Sequence, residues 1–147
     1  MEQQTLEIKR LHENATLPAY MTPGAAAMDV CACLDEDVVL LPGEAKLIST
    51  GFAIAAPEGT VALLFARSGL AFKSGISLAN SVGVIDSDYR GEVKVALVNR
   101  SAQPFTVSGG MRIAQLAIVP YLKMIPTEVL ELSSTERDAG GFGSTGV

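Results

Sequence analysis

Hydrophobic positions along the chain come in short runs, broken at close intervals by polar and turn-forming residues. Leu6, Ile8 and Leu11 open the series. Apolar or alternating runs recur at Met28–Leu34, Val38–Leu41, Ala45–Ile48, Phe52–Ala55, Val61–Phe65, Val93–Val98, Phe105–Val107, Ile113–Val119 and Met124–Val129. Pro42-Gly43, Pro57-Glu58-Gly59 and Gly109-Gly110 punctuate them. Runs of this length, bounded by Gly, Pro and Asn, mark strands, and no stretch carries a long helical period. The pattern predicts an all-β sandwich, barrel or jelly roll, with one short helix over Ser68–Lys73. There is no internal repeat. After Leu132 the chain turns polar and then glycine-rich, so the reading is a β domain over 1–132 and a C-terminal arm over 133–147.

Composition narrows the function. A chain of 147 residues, 48% hydrophobic and 18% charged, can bury a real core. The formal net charge of −5 is the wrong sign for a general nucleic-acid binder. A polyphosphate ligand would need arginines and a metal ion gathered locally. The apolar runs are far shorter than a membrane span. Cys31 and Cys33 sit too close along a strand for an ordinary disulfide, and with His12 the sole histidine a zinc set is incomplete. They read as small core residues of a protein from a reducing, cytoplasmic compartment. With no P-loop, no nucleophile elbow and one histidine, catalysis would fall to carboxylates, cations and a metal-organised substrate.

Chemistry concentrates in Asn80-Ser81-Val82-Gly83-Val84-Ile85-Asp86-Ser87-Asp88-Tyr89-Arg90-Gly91. Strand-like sequence flanks it, and its glycines suit a tight hairpin with close backbone approach. Two carboxylates, an aromatic face and a cation are more than a turn requires. Asp29 lies in an apolar strand, where a carboxylate is paired, at an edge, or functional. Arg67-Ser68-Gly69 opens the helix and offers either an anion site or a serine N-cap beside a surface arginine. Gln115 lies amid hydrocarbon and needs a partner, backbone or ligand. Gly140-Gly141-Phe142-Gly143-Ser144-Thr145-Gly146 reads either as a disordered terminus or as a segment whose N–H groups and Phe142 close on a phosphate-bearing ligand.

In this order, these segments resemble the five motifs of the homotrimeric dUTP pyrophosphatases (dUTPases) over nearly the whole chain. The motifs are the segment around Asp29, Ala66–Ala71, Gly83–Gly91, Gly110–Leu116 and Arg137–Gly146. The resemblance implies a dUTPase-like distorted β-barrel or jelly roll with a flexible glycine-rich arm. It implies hydrolysis of dUTP to dUMP and pyrophosphate, which limits uracil incorporation into DNA and supplies dUMP for thymidylate synthesis. Asp86 would activate the attacking water, and Tyr89 would stack under the deoxyribose. Asn80 and the backbone of Val84, Ile85 and Lys94 would line the uracil slot. Arg67, Ser68, Gly69 and Gln115 would grip the phosphates, and Asp29 would reach Mg²⁺ through water. Arg137, Phe142, Gly143, Ser144 and Thr145 would close over base and γ-phosphate. Each site would draw its motifs from three chains.

Three positions depart from the family pattern: Ala27 and Asp138 replace the usual glycine, and Ala66 the usual proline. Asp138 brings a negative charge near the expected triphosphate, which either retunes arm closure or pairs with Arg137. Two rival readings share the scaffold. A dCTP deaminase would need a pocket glutamate for which the chain offers no candidate, and a non-catalytic nucleotide sensor would have no use for Asp86.

Overall fold

Over the residues that the structure describes, most of the short runs fall in ten strands and one helix. A computed structural model describes residues 4–146; residues 1–3 and 147, the outer ends of the expected domain and arm, lie outside the described residues. The elements are β1 (Glu7–Arg10), β2 (Met28–Cys31), β3 (Val38–Leu40), β4 (Ala45–Ala55), β5 (Thr60–Phe65), α1 (Ser68–Ser74), β6 (Ile76–Leu78), β7 (Gly83–Ile85), β8 (Glu92–Asn99), β9 (Phe105–Val107) and β10 (Arg112–Pro120). Two four-stranded antiparallel sheets, in the orders β1-β4-β8-β6 and β2-β10-β5-β7, are joined by a separate β3-β9 pair. No helix among the described residues is long and apolar enough to cross a membrane.

Alternation decides which side chains go inside. Along β8, Val93, Val95, Leu97 and Asn99 are buried while the residues between them are not. These apolar residues join Phe52, Ile54, Ile76 and Leu78 from their own sheet and Val30, Ala62, Leu64 and Leu116 from the other in one cluster. Phe52 is wholly buried, and truncating such a ring typically costs ~3–5 kcal/mol. Asn99, the polar member of the β8 row, is satisfied: its amide donates to the Leu40 and Gln103 carbonyls and its oxygen accepts from Ser101.

Several expectations change. Ala45–Ile48 and Phe52–Ala55 are one strand, β4, carried through Gly51 at φ +75° with a register shift against β8 between Ser49 and Ala53. A side chain at 51 would also strike Ala15 Cβ at 2.8 Å and Cys33 Sγ at 2.9 Å. Strands β6 and β7 are not among the expected runs: Ile76-Ser77-Leu78 is broken by a serine and Gly83-Val84-Ile85 opens on a glycine. Met124–Val129 forms no strand, and Met124, Ile125 and Val129 are exposed; apolar content alone makes no strand without backbone pairing to a neighbour. Cys31 and Cys33 are half-exposed rather than core residues.

Candidate active site

The Asp86–Gly91 segment is not a hairpin turn. β7 pairs with β5, whereas β8 pairs with β4 and β6. The chain leaves one sheet at Ile85 and enters the other at Glu92, so the segment is a corner between sheets. A local turn signal says that the chain bends; burial of Ile85 and Val93 in the shared core decides what each arm pairs with. The glycines serve close approach, not positive φ. A Cβ at 83 would lie 3.0 Å from Leu64 Cβ, and one at 91 would collide with the Tyr89 ring, 2.6 Å from Cζ.

Within the corner, the Tyr89 amide donates to the Asp86 carbonyl at 3.1 Å, and the Tyr89 hydroxyl donates to the Glu92 carbonyl at 3.0 Å. Arg90 is spent on the loop itself, donating to the Ser87 and Tyr89 carbonyls. The Asp86 carboxylate is exposed and has no hydrogen-bond or ion-pair partner among the described residues.

Beside the corner lie the residues expected around a base. Asn80 is exposed, and Ser81 follows at φ +63° in a turn closed by its amide to the Leu78 carbonyl. On β7, Val84 points outward and Ile85 inward. The Ala96 carbonyl accepts from the Ala79 amide at 2.7 Å. Two residues along β8, Lys94 directs its own N–H and C=O to the same side. There β6 has already ended at Leu78, so on that side β8 has no strand partner, while Ser49 of β4 stands opposite Lys94 on the other.

A second cluster forms where β5 runs into α1. Arg67 is the helix N-cap, extended at φ −78°, ψ 127°, with no side-chain cap, so the serine-cap alternative does not apply. Ser68 and Gly69 occupy the first turn, where amides lack intrahelical partners. The Arg67 guanidinium donates to the Arg112 carbonyl at 3.1 Å. Arg112 in turn pairs with Asp29 at 3.0 Å. Asp29 is only 7% exposed, and its other oxygen accepts from Gln115 at a long 3.4 Å. Gln115 stands directly opposite Asp29 across β10 and β2. Burial, with the Asp29 charge adding to it, pushes the neighbouring Cys31 thiol up, while Arg112 and Arg67 pull the other way.

Arg112 is the member of this cluster that sequence reasoning did not single out. The signal existed, since a carboxylate in an apolar strand demands a cation, but the partner lies 83 residues away. Among the described residues no three His, Cys, Asp or Glu side chains gather to hold a metal. Asp29 has one oxygen taken by Arg112 and one nearly free. That suits a hard cation carried mainly by phosphates and water, and not a protein cage.

The two clusters lie apart within one chain. Leu64 faces Gly83 across the antiparallel β5–β7 pair. Arg67 lies three residues beyond Leu64, and Asp86 three residues beyond Gly83 in the opposite direction. Counted along the strand axis at about 3.3 Å per residue, that offset is roughly 20 Å. The glycine-rich arm joins neither cluster. Phe142 is fully exposed, and Arg137, Gly143, Ser144 and Thr145 have no hydrogen bond outside the arm among the described residues. Asp138 does not pair with Arg137: its carboxylate accepts from the Thr135 amide, and the Arg137 Nε donates to the Gly140 carbonyl.

The dUTPase family model matches residues 13–146. The chain belongs to the dUTPase family. It is 54% identical over 135 residues to the deoxyuridine 5'-triphosphate nucleotidohydrolase of Desulfotalea psychrophila, covering 92% of this chain and 90% of that one. The enzyme of the same name from a Hydrogenobaculum species is 51% identical over 142 residues, 97% and 98% of the two chains. Among solved structures, the G164S mutant of the Staphylococcus bacteriophage 80alpha dUTPase with dUpNHpp superposes with a TM-score of 0.90 at 31% identity, covering 99% of this chain and all of that one. The dUTPase of the Staphylococcus aureus phage phi11 gives a TM-score of 0.81 at 28% identity, over 90% of this chain and all of that one. The expected all-β dUTPase-like fold with one short helix thus holds.

Proposed function

We propose that this dUTPase hydrolyses dUTP to dUMP and pyrophosphate in sites shared between the subunits of a homotrimer. Family membership supports the substrate and the reaction. One observation carries the catalytic assignment: the Asp86 carboxylate stands exposed and unpartnered on a corner built from both sheets. In this reading Asp86 holds a water and takes its proton as the water oxygen bonds to the α-phosphorus and the bond to pyrophosphate breaks. General-base help of this kind is typically worth about 10²–10⁴-fold. Tyr89, braced by Glu92, lies under the deoxyribose and excludes a 2′-hydroxyl. Asn80 and the backbone of Val84, Ile85 and Lys94 bond the polar edge of uracil, and a mismatched base leaves buried groups unpaired. Arg67, Ser68, Gly69 and Gln115 grip phosphate oxygens. A divalent cation, Mg²⁺ in this reading, would be held by the phosphates and through water by Asp29, and would supply neutralising charge to the triphosphate. Residues 133–147 act as an arm that brings Arg137, Phe142, Gly143, Ser144 and Thr145 over the nucleotide and excludes water.

The offset of roughly 20 Å between Asp86 and Arg67 supports sharing between chains. A water on Asp86 and a phosphate on Arg67 must meet within hydrogen-bond reach, ~3 Å, which one chain alone does not provide. The extended segment after β10 supports the same reading, because Leu122, Ile125, Leu130 and Leu132 are each at least 86% exposed and suit a surface on a neighbouring copy. The number three comes from the family resemblance. The test is complementation. Asp86→Asn and Arg67→Met proteins, each nearly inactive, are dissociated, mixed and reassembled; recovery of a measurable share of wild-type turnover is expected. No recovery despite verified mixing would place each site within one chain.

A further inference from the structure

We propose that Asp138 is a positioning residue that pre-shapes the arm and aims Arg137, so that the charge it brings does not oppose the triphosphate. The inference rests on the reading of 133–147 as a closing arm. Asp138 and Thr135 bond each other reciprocally. The Thr135 amide donates to Asp138 Oδ1 at 3.2 Å, and the Asp138 amide donates to Thr135 Oγ1 at 3.0 Å. This is the paired arrangement of a capping box, here built into an arm with no helix. The next turn starts at once. The Gly140 amide donates to the Arg137 carbonyl at 2.9 Å, and Arg137 Nε returns to the Gly140 carbonyl at 2.7 Å.

Asp138 sits between the two turns at φ +46°, a left-handed conformation that aspartate tolerates better than most side chains. One residue therefore closes the first turn with its carboxylate and opens the second with its backbone. Two consequences follow. The carboxylate is directed back to Thr135, away from the glycine loop expected to meet phosphate. The guanidinium, held at Nε, keeps its two terminal nitrogens for a ligand. An arm ordered in this way loses less conformational freedom on closing.

The test compares variants that separate charge from hydrogen bonding. Asp138→Gly keeps access to the positive φ but removes both charge and acceptor. Its KM for dUTP should rise about fivefold with kcat changed less than twofold, the mark of lost binding-state order. Asp138→Asn keeps an acceptor without the charge and should restore KM to within about twofold of wild type. Thr135→Val should match Asp138→Gly, and the double variant should be no worse than either single one. In the ligand-free protein, the Thr135 and Asp138 amides should exchange hydrogen more slowly than unstructured chain, and lose that protection in Asp138→Gly. The proposal is overturned if Asp138→Gly and Asp138→Asn both bind dUTP more tightly, if the two single effects add, or if both amides exchange freely in the wild type. Truncation before Arg137 tells the two readings apart. Full turnover of the truncated chain overturns the arm reading and this inference together; an inactive truncation beside an unaltered Asp138→Gly overturns this inference alone.

Discussion

The Tyr89 ring lies over Gly91, with no room between them for a methyl group, while its hydroxyl donates to the Glu92 carbonyl at 3.0 Å. The hydrogen bond and the missing side chain together set the ring's orientation. Gly91→Ala should push the ring off its seat. The half-exposed ring can swing toward solvent, so the stability cost should fall at the low end of the ~1–3 kcal/mol typical of overpacking. Discrimination between dUTP and UTP should fall about tenfold or more, and Tyr89→Ala should do the same. Comparing specificity constants for the two nucleotides decides it. An unchanged ratio in both variants would remove the ring from sugar selection.

Asp86→Asn should leave nucleotide affinity within about threefold of wild type and lower single-turnover hydrolysis by about 10²–10⁴-fold. No histidine stands in the corner to replace the carboxylate. Binding and chemistry measured side by side check this, and wild-type turnover would rule Asp86 out as the base.

Arg112→Met leaves a 7%-exposed carboxylate without its cation. Removing one partner of a fully buried pair costs ~3–5 kcal/mol. Arg112 is 48% exposed, so water compensates in part and a loss of about 1–3 kcal/mol is expected. Adding Asp29→Asn should recover part of it. Urea denaturation of the two single variants and the double variant measures the coupling, and strictly additive losses would mean that the pair contributes nothing.

Both thiols should resist modification at neutral pH. Burial pushes Cys31 and Cys33 above the ordinary thiol value of 9.0, with carboxylates adding to it: Asp29 for Cys31, Asp35 and Glu92 for Cys33. A raised folded-state value favours the folded protein fully below about pH 9, and the contribution is lost as pH climbs through the folded value. Iodoacetamide should therefore react more slowly than with a cysteine peptide at pH 7, and the unfolding midpoint should drop above pH 9. Peptide-like rates at pH 7 would contradict the shift.

Much of this architecture is legible in the sequence, because alternation reports burial directly. Val93, Val95 and Leu97 mark an inward face, and Arg67 to Gly75 brackets a helix that runs from Ser68 to Ser74 with Gly75 at φ +67° as its stop. What sequence does not carry is pairing between distant segments. The glycines around Asp86 signal a bend, yet nothing nearby says that β7 joins β5 and β8 joins β4. Asp29 announces that it needs a partner without naming Arg112. Met124–Val129 has the apolar content of a strand, but forming one also needs an edge, which the run itself cannot specify. Of the candidate site, the sequence names candidates such as Asp86 and Arg67, but not the offset between them nor the Arg112 that pairs with Asp29.

The corner from Ile85 to Glu92 has a mechanical consequence. One end of it is hydrogen-bonded into each sheet, so Asp86 rides on the gap between the two halves of the sandwich. A substitution in the shared core that lets one sheet slide over the other should therefore reach Asp86 as a displacement. Close-packed interiors transmit such strain. If Asp86 is the base, the rate of hydrolysis should register core repacking before a melting curve does.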